Sequence, residues 1–481
     1  MIIRPLLYIV GLINLLLAAA MLLPLAVSYI YGEGDSRVFG ISILITVVTG
    51  ALLFFAFGKR DLDISHRAGF VVVAFSWISV SMFSALPFYI SGVFPSFTDA
   101  FFESVSGLTT TGASVLKDVE VLSHAMLFWR SMLHLIGGMG IVLLGLAILP
   151  FLGIGGMQLY KAETSSVSAE KFAPRVSEMA RIIVGIYLTV SAALFLILFF
   201  SGMDVFDAFI HMAGTVSTGG FSNKNLSVGY FQNPFMEWTI ILFMVAGATN
   251  FGLHYRVLSE GPRVYLKNDE FRFFMLVIFI AILLVGLNLL ATVYNDPAEA
   301  LRYAAFNVVS VITTTGFATG DFAQWPALSQ MVLFFLMLFG GSAGSTAGAI
   351  KCIRLLLLIK VGYKEALRLI HPHAVTPVKL AGRVVPPEII KAVAGFTALY
   401  LLVFLASSIA LTAFDMDFIT AMSSSATMLG NVGPALGAMG PMSNFSMVPL
   451  AGKWVFILDM LLGRLEIYTL LILLLPAFWK G

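Results

Sequence analysis

Thr109-Thr110-Thr111-Gly112 is the first of four short segments that end in glycine; the others are Val216-Ser217-Thr218-Gly219, Thr313-Thr314-Thr315-Gly316 and Leu429-Gly430-Asn431-Val432-Gly433. Their last glycines stand 107, 97 and 117 residues apart, a spacing too regular for chance turns and too long for a solenoid repeat. Each segment lies between two apolar stretches long enough to cross a bilayer, so four near-equivalent strands of backbone can meet at one axis inside a membrane. That arrangement has the geometry of a cation filter, in which a ring of carbonyls replaces the water around an ion and glycine permits the left-handed backbone that aims successive carbonyls inward; the alternative is four surface loops rich in Thr and Gly.

Outward from these segments the chain repeats a unit of long apolar helix, short segment and long apolar helix. The outer helices are expected at 70–94 and 125–152, 178–201 and 234–258, 271–294 and 328–358, and 388–413 and 448–478. Two further apolar runs, from Pro5 to Ile30 and from Val38 to Phe57, form a hairpin ahead of the repeats, which brings the expectation to ten spans. The first run is too long for a signal-peptide core and reads as a retained span. The division is therefore a hairpin at 1–67 and pore repeats at 68–175, 176–268, 269–386 and 387–481. Within each repeat the approach to the glycine is too short to span: Asp99-Ala100-Phe101-Phe102, Asp207-Ala208-Phe209 and Phe306 lead half-membrane pore helices. Non-helical backbone at membrane depth must line a protein or water cavity.

Composition agrees. Of 481 residues 59% are hydrophobic and 11% charged, which excludes a water-soluble surface and makes this an all-α polytopic membrane protein. Cys352 is the sole cysteine, so neither an intrachain disulfide nor a cysteine metal site is available. With the amino terminus in the cytoplasm, 21 of 28 basic residues fall in inner segments, from Arg4, Lys59 and Arg60 through the loops Lys161–Arg175 and Lys360–Arg383 to Lys480. That bias places both termini inside and the four glycine segments toward the external face. Asp118, Glu120, Asp204, Asp296 and Asp321 then lie near the outer mouths, where they either concentrate cations or serve as ordinary loop residues.

Two features lie below the glycine segments. Gly340-Gly341-Ser342-Ala343-Gly344-Ser345-Thr346-Ala347-Gly348 interrupts the second helix of repeat 3 without one large side chain, so the helix should break there; the alternative is a close helix-packing face of Gly340, Gly344 and Gly348. Arg464 sits midway along the last apolar run, where a cation is costly unless it faces a bundle interior or water. It either repels a permeant cation or pairs with Glu466 or Asp459. His371-Pro372-His373 lacks metal-ligand partners, Gly153-Ile154-Gly155-Gly156 follows a helix rather than a strand and so is no nucleotide loop, and no nucleophile–base pair marks an enzyme. Inverted-repeat carriers would carry acidic residues within spans in paired halves, whereas this repeat is fourfold.

The chain resembles the Trk/Ktr/HKT superfamily of cation transporters and, within it, the TrkH family of potassium-translocating subunits. The resemblance covers essentially the whole length. It rests on the four glycine segments, on Arg130-Ser131-Met132-Leu133-His134-Leu135-Ile136-Gly137-Gly138-Met139-Gly140, on the run from Gly340 to Gly348 leading to Lys351, on Met460-Leu461-Leu462-Gly463-Arg464-Leu465-Glu466-Ile467-Tyr468, and on the extra hairpin at 1–67. It implies four membrane–pore-loop–membrane repeats around one pore in each protomer of a homodimer in the bacterial inner membrane. It also implies K+ as the permeant ion, bound by Thr110, Thr111, Gly112, Ser217, Thr218, Gly219, Thr314, Thr315, Gly316, Asn431, Val432 and Gly433. Glycine at Gly112, where sodium-favouring plant relatives carry serine, points to potassium. Gly340, Gly341, Ser342, Gly344, Ser345, Gly348 and Arg464 would form the gate. The fourth segment departs from the pattern as Asn431-Val432-Gly433-Pro434, so selectivity should be present but less strict. No covalent cofactor and no nucleic acid is implied; a cytosolic regulatory ring of the TrkA type would bind the nucleotide, ATP/ADP or NAD, and dock with anionic lipid on the basic inner loops. Gated conduction and potassium symport coupled to H+ or Na+ look alike at this level.

Overall fold

The computed structural model describes residues 3–58, 66–152, 172–373 and 376–479. The loop at Lys161, Lys171 and its neighbours, Lys59, Arg60, Lys480 and the run Gly153–Gly156 lie outside the described residues. The hairpin forms as expected from Ile3–Tyr31 and Ser36–Phe57, and the first helices of the four repeats span as Arg67–Ile90, Ser177–Phe200, Asp269–Thr292 and Pro387–Thr412. All are apolar around their circumference, as lipid on one side and protein on the other require.

Four short helices slant between these spans: Phe97–Leu108, Val205–Val216, Pro297–Ile312 and Phe418–Gly430. Each starts with a side-chain cap. Ser96 accepts from Asp99 N, Asp204 from Phe206 N, Asp296 from Ala298 N and Asp417 from Thr420 N, satisfying N–H groups that a helix start otherwise leaves without an intrahelical partner. Asp204 and Asp296, expected at the outer mouths, therefore spend their carboxylates on helix starts. Asp321 likewise accepts from Ala323 N, and Asp118 and Glu120 accept from Asn225 in a clamp between the loops of repeats 1 and 2.

The second helices differ among repeats. His124–Leu152 of repeat 1 is continuous. In repeat 2 the expected helix 234–258 is two pieces, Pro234–Gly247 and Phe251–Glu260, bent by 97°. The turn is held by Asn250, whose Oδ1 accepts from Gly252 N and Leu253 N. In repeat 3 the break falls where the small residues predict it, between Ala327–Met337 and Cys352–Ile370, with Phe339–Gly340 pairing in parallel with Ile350–Lys351 at the neck of the loop. In repeat 4 the expected helix 448–478 ends at Arg464 and turns at Glu466 and Ile467, whose φ values of 60° and 34° are left-handed. Arg354 anchors that turn through Glu466 at 2.6 Å. The repeats lock together through buried ion pairs, among them Lys453–Asp99 at 2.6 Å between repeats 4 and 1.

Candidate functional site: a ring of four backbone strands

Each short helix ends in the same backbone turn. Thr110, Thr218, Thr314 and Asn431 have φ of 51°, 54°, 57° and 53°, and two residues later Gly112, Gly220, Gly316 and Gly433 have φ of 80°, 78°, 80° and 102°. The intervening N–H closes on its own helix each time: Thr111 on Ser106 O, Gly219 on Gly214 O, Thr315 on Ser310 O and Val432 on Thr427 O, at 2.8–2.9 Å. Glycine is needed at the last position for two reasons, a left-handed φ and the neighbouring strand. A Cβ on Gly112 would overlap Gly219 O, one on Gly220 Thr315 O, one on Gly316 Val432 O and one on Gly433 Thr111 O. These contacts run from repeat 1 to 2 to 3 to 4 and back to 1, so the four strands close a ring around one axis.

The ring corrects one assignment. The expected second segment, Ser217-Thr218-Gly219, is one residue out of register: Thr218-Gly219-Gly220 matches Thr110-Thr111-Gly112, Thr314-Thr315-Gly316 and Asn431-Val432-Gly433. Ser217 lies outside the ring, and its hydroxyl donates back to Ala213 O at 2.6 Å, as Thr109 donates to Val105 O and Thr313 to Val309 O. Phe209 misled the alignment. Phe102 and Phe306 are fully buried eight residues before their left-handed threonines, but that place in repeat 2 belongs to Ile210, and Phe209 is only partly covered. Gly220, not Gly219, is the left-handed glycine of the adjacent pair.

On the side of the last glycines the ring opens into a cavity of about 150 Å³ bordered by Gly112, Gly220, Gly316, Gly433, Arg130 and Lys224. Hydroxyls brace the strands from behind: Ser106 to Ala113 O, Ser310 to Phe317 O and Thr427 to Pro434 O, at 2.6, 2.6 and 3.0 Å.

On the opposite side lies the loop Gly340–Gly348. Its floor is the broken span of repeat 2: Ser342 N donates to Ala248 O, Asn250 Nδ2 donates to Ala343 O, and Phe251 N donates to Gly344 O, at 2.8, 2.7 and 3.1 Å. Glu270 accepts from Ala343 N at 2.7 Å. Toward the ring, Gly348 N donates to Thr314 Oγ1 at 2.7 Å, and Thr218 Oγ1 lies 3.2 Å from Thr346 Oγ1. Ser345 Oγ closes the loop on Ser342 O at 2.6 Å. Gly340 and Gly341 lie where a Cβ would strike Gly348 O and Ala248 O, so the small residues serve the loop's own folding rather than a straight helix face.

Arg464 donates from Nη1 to Thr346 O at 2.7 Å, and its Nε and Nη2 have no partner. Neither proposed acid pairs with it: Glu466 is taken by Arg354, and Asp459 accepts from Ser407 at 2.6 Å. Of the four buried cations among the described residues, Arg130, Arg354 and Lys453 pair with Glu103, Glu466 and Asp99, and Arg464 alone has no carboxylate. A cavity of about 40 Å³ bordered by Gly344, Gly348, Lys351, Gly463, Arg464 and Glu466 lies beside it.

The profile of the TrkH family, described as cation transport protein, matches residues 35–480. The chain belongs to the TrkH family. It is 41% identical over 476 residues, 98% of either chain, to the Trk system potassium uptake protein TrkH of Escherichia coli (strain K12), and 40% identical over 99% of either chain to that of Vibrio parahaemolyticus. Its fold matches the crystal structure of the potassium transporter TrkH from Vibrio parahaemolyticus with a TM-score of 0.93 over the full length of both, at 39% identity. A multi-pass membrane protein with four pore repeats is thus the fold of a TrkH family member, and the family is one of transport proteins.

Proposed function

We propose that this chain takes up potassium across the bacterial inner membrane, with both termini cytoplasmic, through the ring of Thr110–Gly112, Thr218–Gly220, Thr314–Gly316 and Asn431–Gly433. The observation that carries the reading is the cyclic contact of four left-handed glycines with four neighbouring carbonyls. Such a ring presents oxygens from all sides to a dehydrated cation at little reorganisation cost. Potassium is favoured by the names of the relatives and by glycine at all four ring positions.

The loop Gly340–Gly348 is the gate. It stands between the ring and the inner cavity, and it is tied to two ring hydroxyls, to Thr314 through the Gly348 backbone N–H and to Thr218 through the Thr346 side chain. Arg464 adds a second barrier: a cation with unshared N–H groups beside the path repels the permeant ion and holds the loop by Thr346 O. Opening must detach both. A nucleotide-binding cytosolic ring of the TrkA type acts on this gate by binding open and closed states differently. The exposed Arg368, Lys379 and Arg383, on the helix Cys352–Ile370 and the hairpin that follows it, offer it a basic surface continuous with the gate. Two protomers form the working homodimer, and the pore units divide near residues 67, 175, 268 and 386.

Coupled symport is a second reading, and one observation favours it: Asp459 is buried in repeat 4 with Ser407 as its hydrogen-bond donor and with Oδ2 unpartnered. Flux into liposomes with potassium, sodium and pH gradients imposed separately tests both. Potassium flux set by its own gradient and the voltage supports conduction. Uphill potassium movement driven by a proton or sodium gradient establishes symport instead.

A further inference from the structure

Three ring strands carry a side chain at the middle position, Thr111, Thr315 and Val432; the second strand carries Gly219. This glycine is not there for its backbone angle, since the left-handed positions of its strand are Thr218 and Gly220. It is there for space. A Cβ on Gly219 would stand 2.6 Å from Cγ and Nδ1 of His134 and 2.8 Å from Cδ2. The imidazole, reaching over from the continuous second helix of repeat 1, fills the volume that the missing side chain leaves.

The ring of His134 cannot yield. It is fully buried, and both nitrogens are engaged: Nδ1 lies 2.8 Å from Gly107 O, and Nε2 receives the N–H of Phe221 at 3.1 Å. The Phe221 amide can only donate, so Nε2 accepts and the proton sits on Nδ1, facing the carbonyl. One side chain thus joins the end of the first short helix to the residue that follows Gly220. One turn earlier on the same helix, Arg130 lies over the Phe221 ring at 4.0 Å and donates to Ser222 O at 3.2 Å. The second strand, which lacks a side chain of its own at Gly219, is held from outside by repeat 1.

We propose that His134 is a positioning residue for ion selectivity: its neutral imidazole is the substitute side chain of the second filter strand and fixes the spacing of the Gly219 carbonyl against Gly112. This rests on the ring being the potassium filter. The contact that matters is acceptance of the Phe221 amide, which sets the strand, rather than donation to Gly107.

Bi-ionic reversal potentials on the full chain in liposomes, with thermal stability read on the same preparations, test it. Gln reproduces the Nε2 acceptor of histidine and Asn the Nδ1 donor. Loss of one buried hydrogen-bond partner should lower the K+/Na+ permeability ratio about tenfold in His134→Asn and His134→Ala, while His134→Gln stays within about threefold of wild type. Gly219→Thr alone should lose selectivity through its clash with the fixed ring, and the double variant His134→Ala, Gly219→Thr, which relieves the clash but leaves the Phe221 amide without its acceptor, should be no more selective than His134→Ala. Should His134→Ala fail to fold, the Gln and Asn pair decides. Equal ratios in those two, or lowered stability at an unchanged ratio, overturn the inference. A wild type without preference for K+ over Na+ overturns the filter reading and this inference with it, whereas a selective wild type with indifferent variants overturns only the latter.

Discussion

The four ring strands have nearly the same backbone, yet their inner ends are treated in two ways. In repeats 2 and 3 the first hydroxyls, Thr218 and Thr314, touch the gate loop at Thr346 and Gly348. In repeats 1 and 4 the loop makes no hydrogen bond to Thr110 or Asn431, although Gly348 packs against Gly430 and Asn431: Thr110 Oγ1 and Asn431 Oδ1 have no partner, and the Asn431 amide turns sideways to Thr111 Oγ1 and Met460 O. The loop is thus hydrogen-bonded to half of the ring. In the proposed function, a plug held this way blocks the path by bulk and also withdraws two oxygens that an ion leaving the ring needs, while two remain to hold it.

Removing the loop altogether should have the largest effect on this asymmetry. A deletion within Ser342–Thr346 severs several hydrogen bonds at once and should raise basal potassium flux about a hundredfold, with the selectivity ratio preserved because the filter strands stay braced from behind. Stopped-flow flux from loaded liposomes is the measurement; unchanged flux would show that the loop is not the barrier. Arg464→Ala removes one charge-assisted hydrogen bond and the local repulsion, and about a tenfold rise is expected. Since Arg464 pairs with no carboxylate, thermal stability should hold, and a lost Tm without added flux would return it to a structural role.

The comparison itself is tested by a matched pair. Thr314→Val takes away the acceptor of Gly348 N and should raise resting flux about fivefold, the worth of one buried hydrogen bond. Thr110→Val, on the side the loop leaves free, should alter the permeability ratio and leave resting flux within about twofold of wild type. Equal effects of the two on resting flux would mean that the loop bears on all four strands alike. The smallest effect lies away from the pore. Burial raises the Glu33 carboxyl, but hydrogen bonds from the His124 backbone and ring and from Ala125 N outweigh it and hold Glu33 below the usual 4.5. A lowered carboxyl stabilises above its unfolded value and loses that contribution as pH falls through its folded one. Tm should therefore drop slightly more steeply below about pH 4.5 in wild type than in Glu33→Gln, with no change in flux at neutral pH.

Much of this architecture was legible along the chain. Four glycines at wide, regular spacing, spans of uninterrupted apolar residues and one run without a large side chain were enough for the repeats, the pore helices and the break in repeat 3. The breaks in repeats 2 and 4 escaped, because Ala248-Thr249-Asn250 and Leu465-Glu466-Ile467 interrupt apolar helices without a run of breakers. Only Asn250 was a visible signal, as a helix cap. The register of the second ring segment is hidden for a related reason: Gly219 and Gly220 are the same letter, and Phe209 stands ten residues before Gly219 as Phe102 stands before Gly112 and Phe306 before Gly316.

Hydropathy settles the membrane class and the unbroken spans on its own, because lipid penalises each exposed polar group separately, whatever its neighbours. The left-handed glycines are nearly as local, since a backbone angle belongs to one residue. Where Gly219 differs from Gly220, what Arg464 touches and which hydroxyls the loop holds are matters of neighbours brought from 34 to more than a hundred residues away, mostly from another repeat. A glycine kept for space and a glycine kept for its φ cannot be told apart until the His134 ring is seen beside one of them.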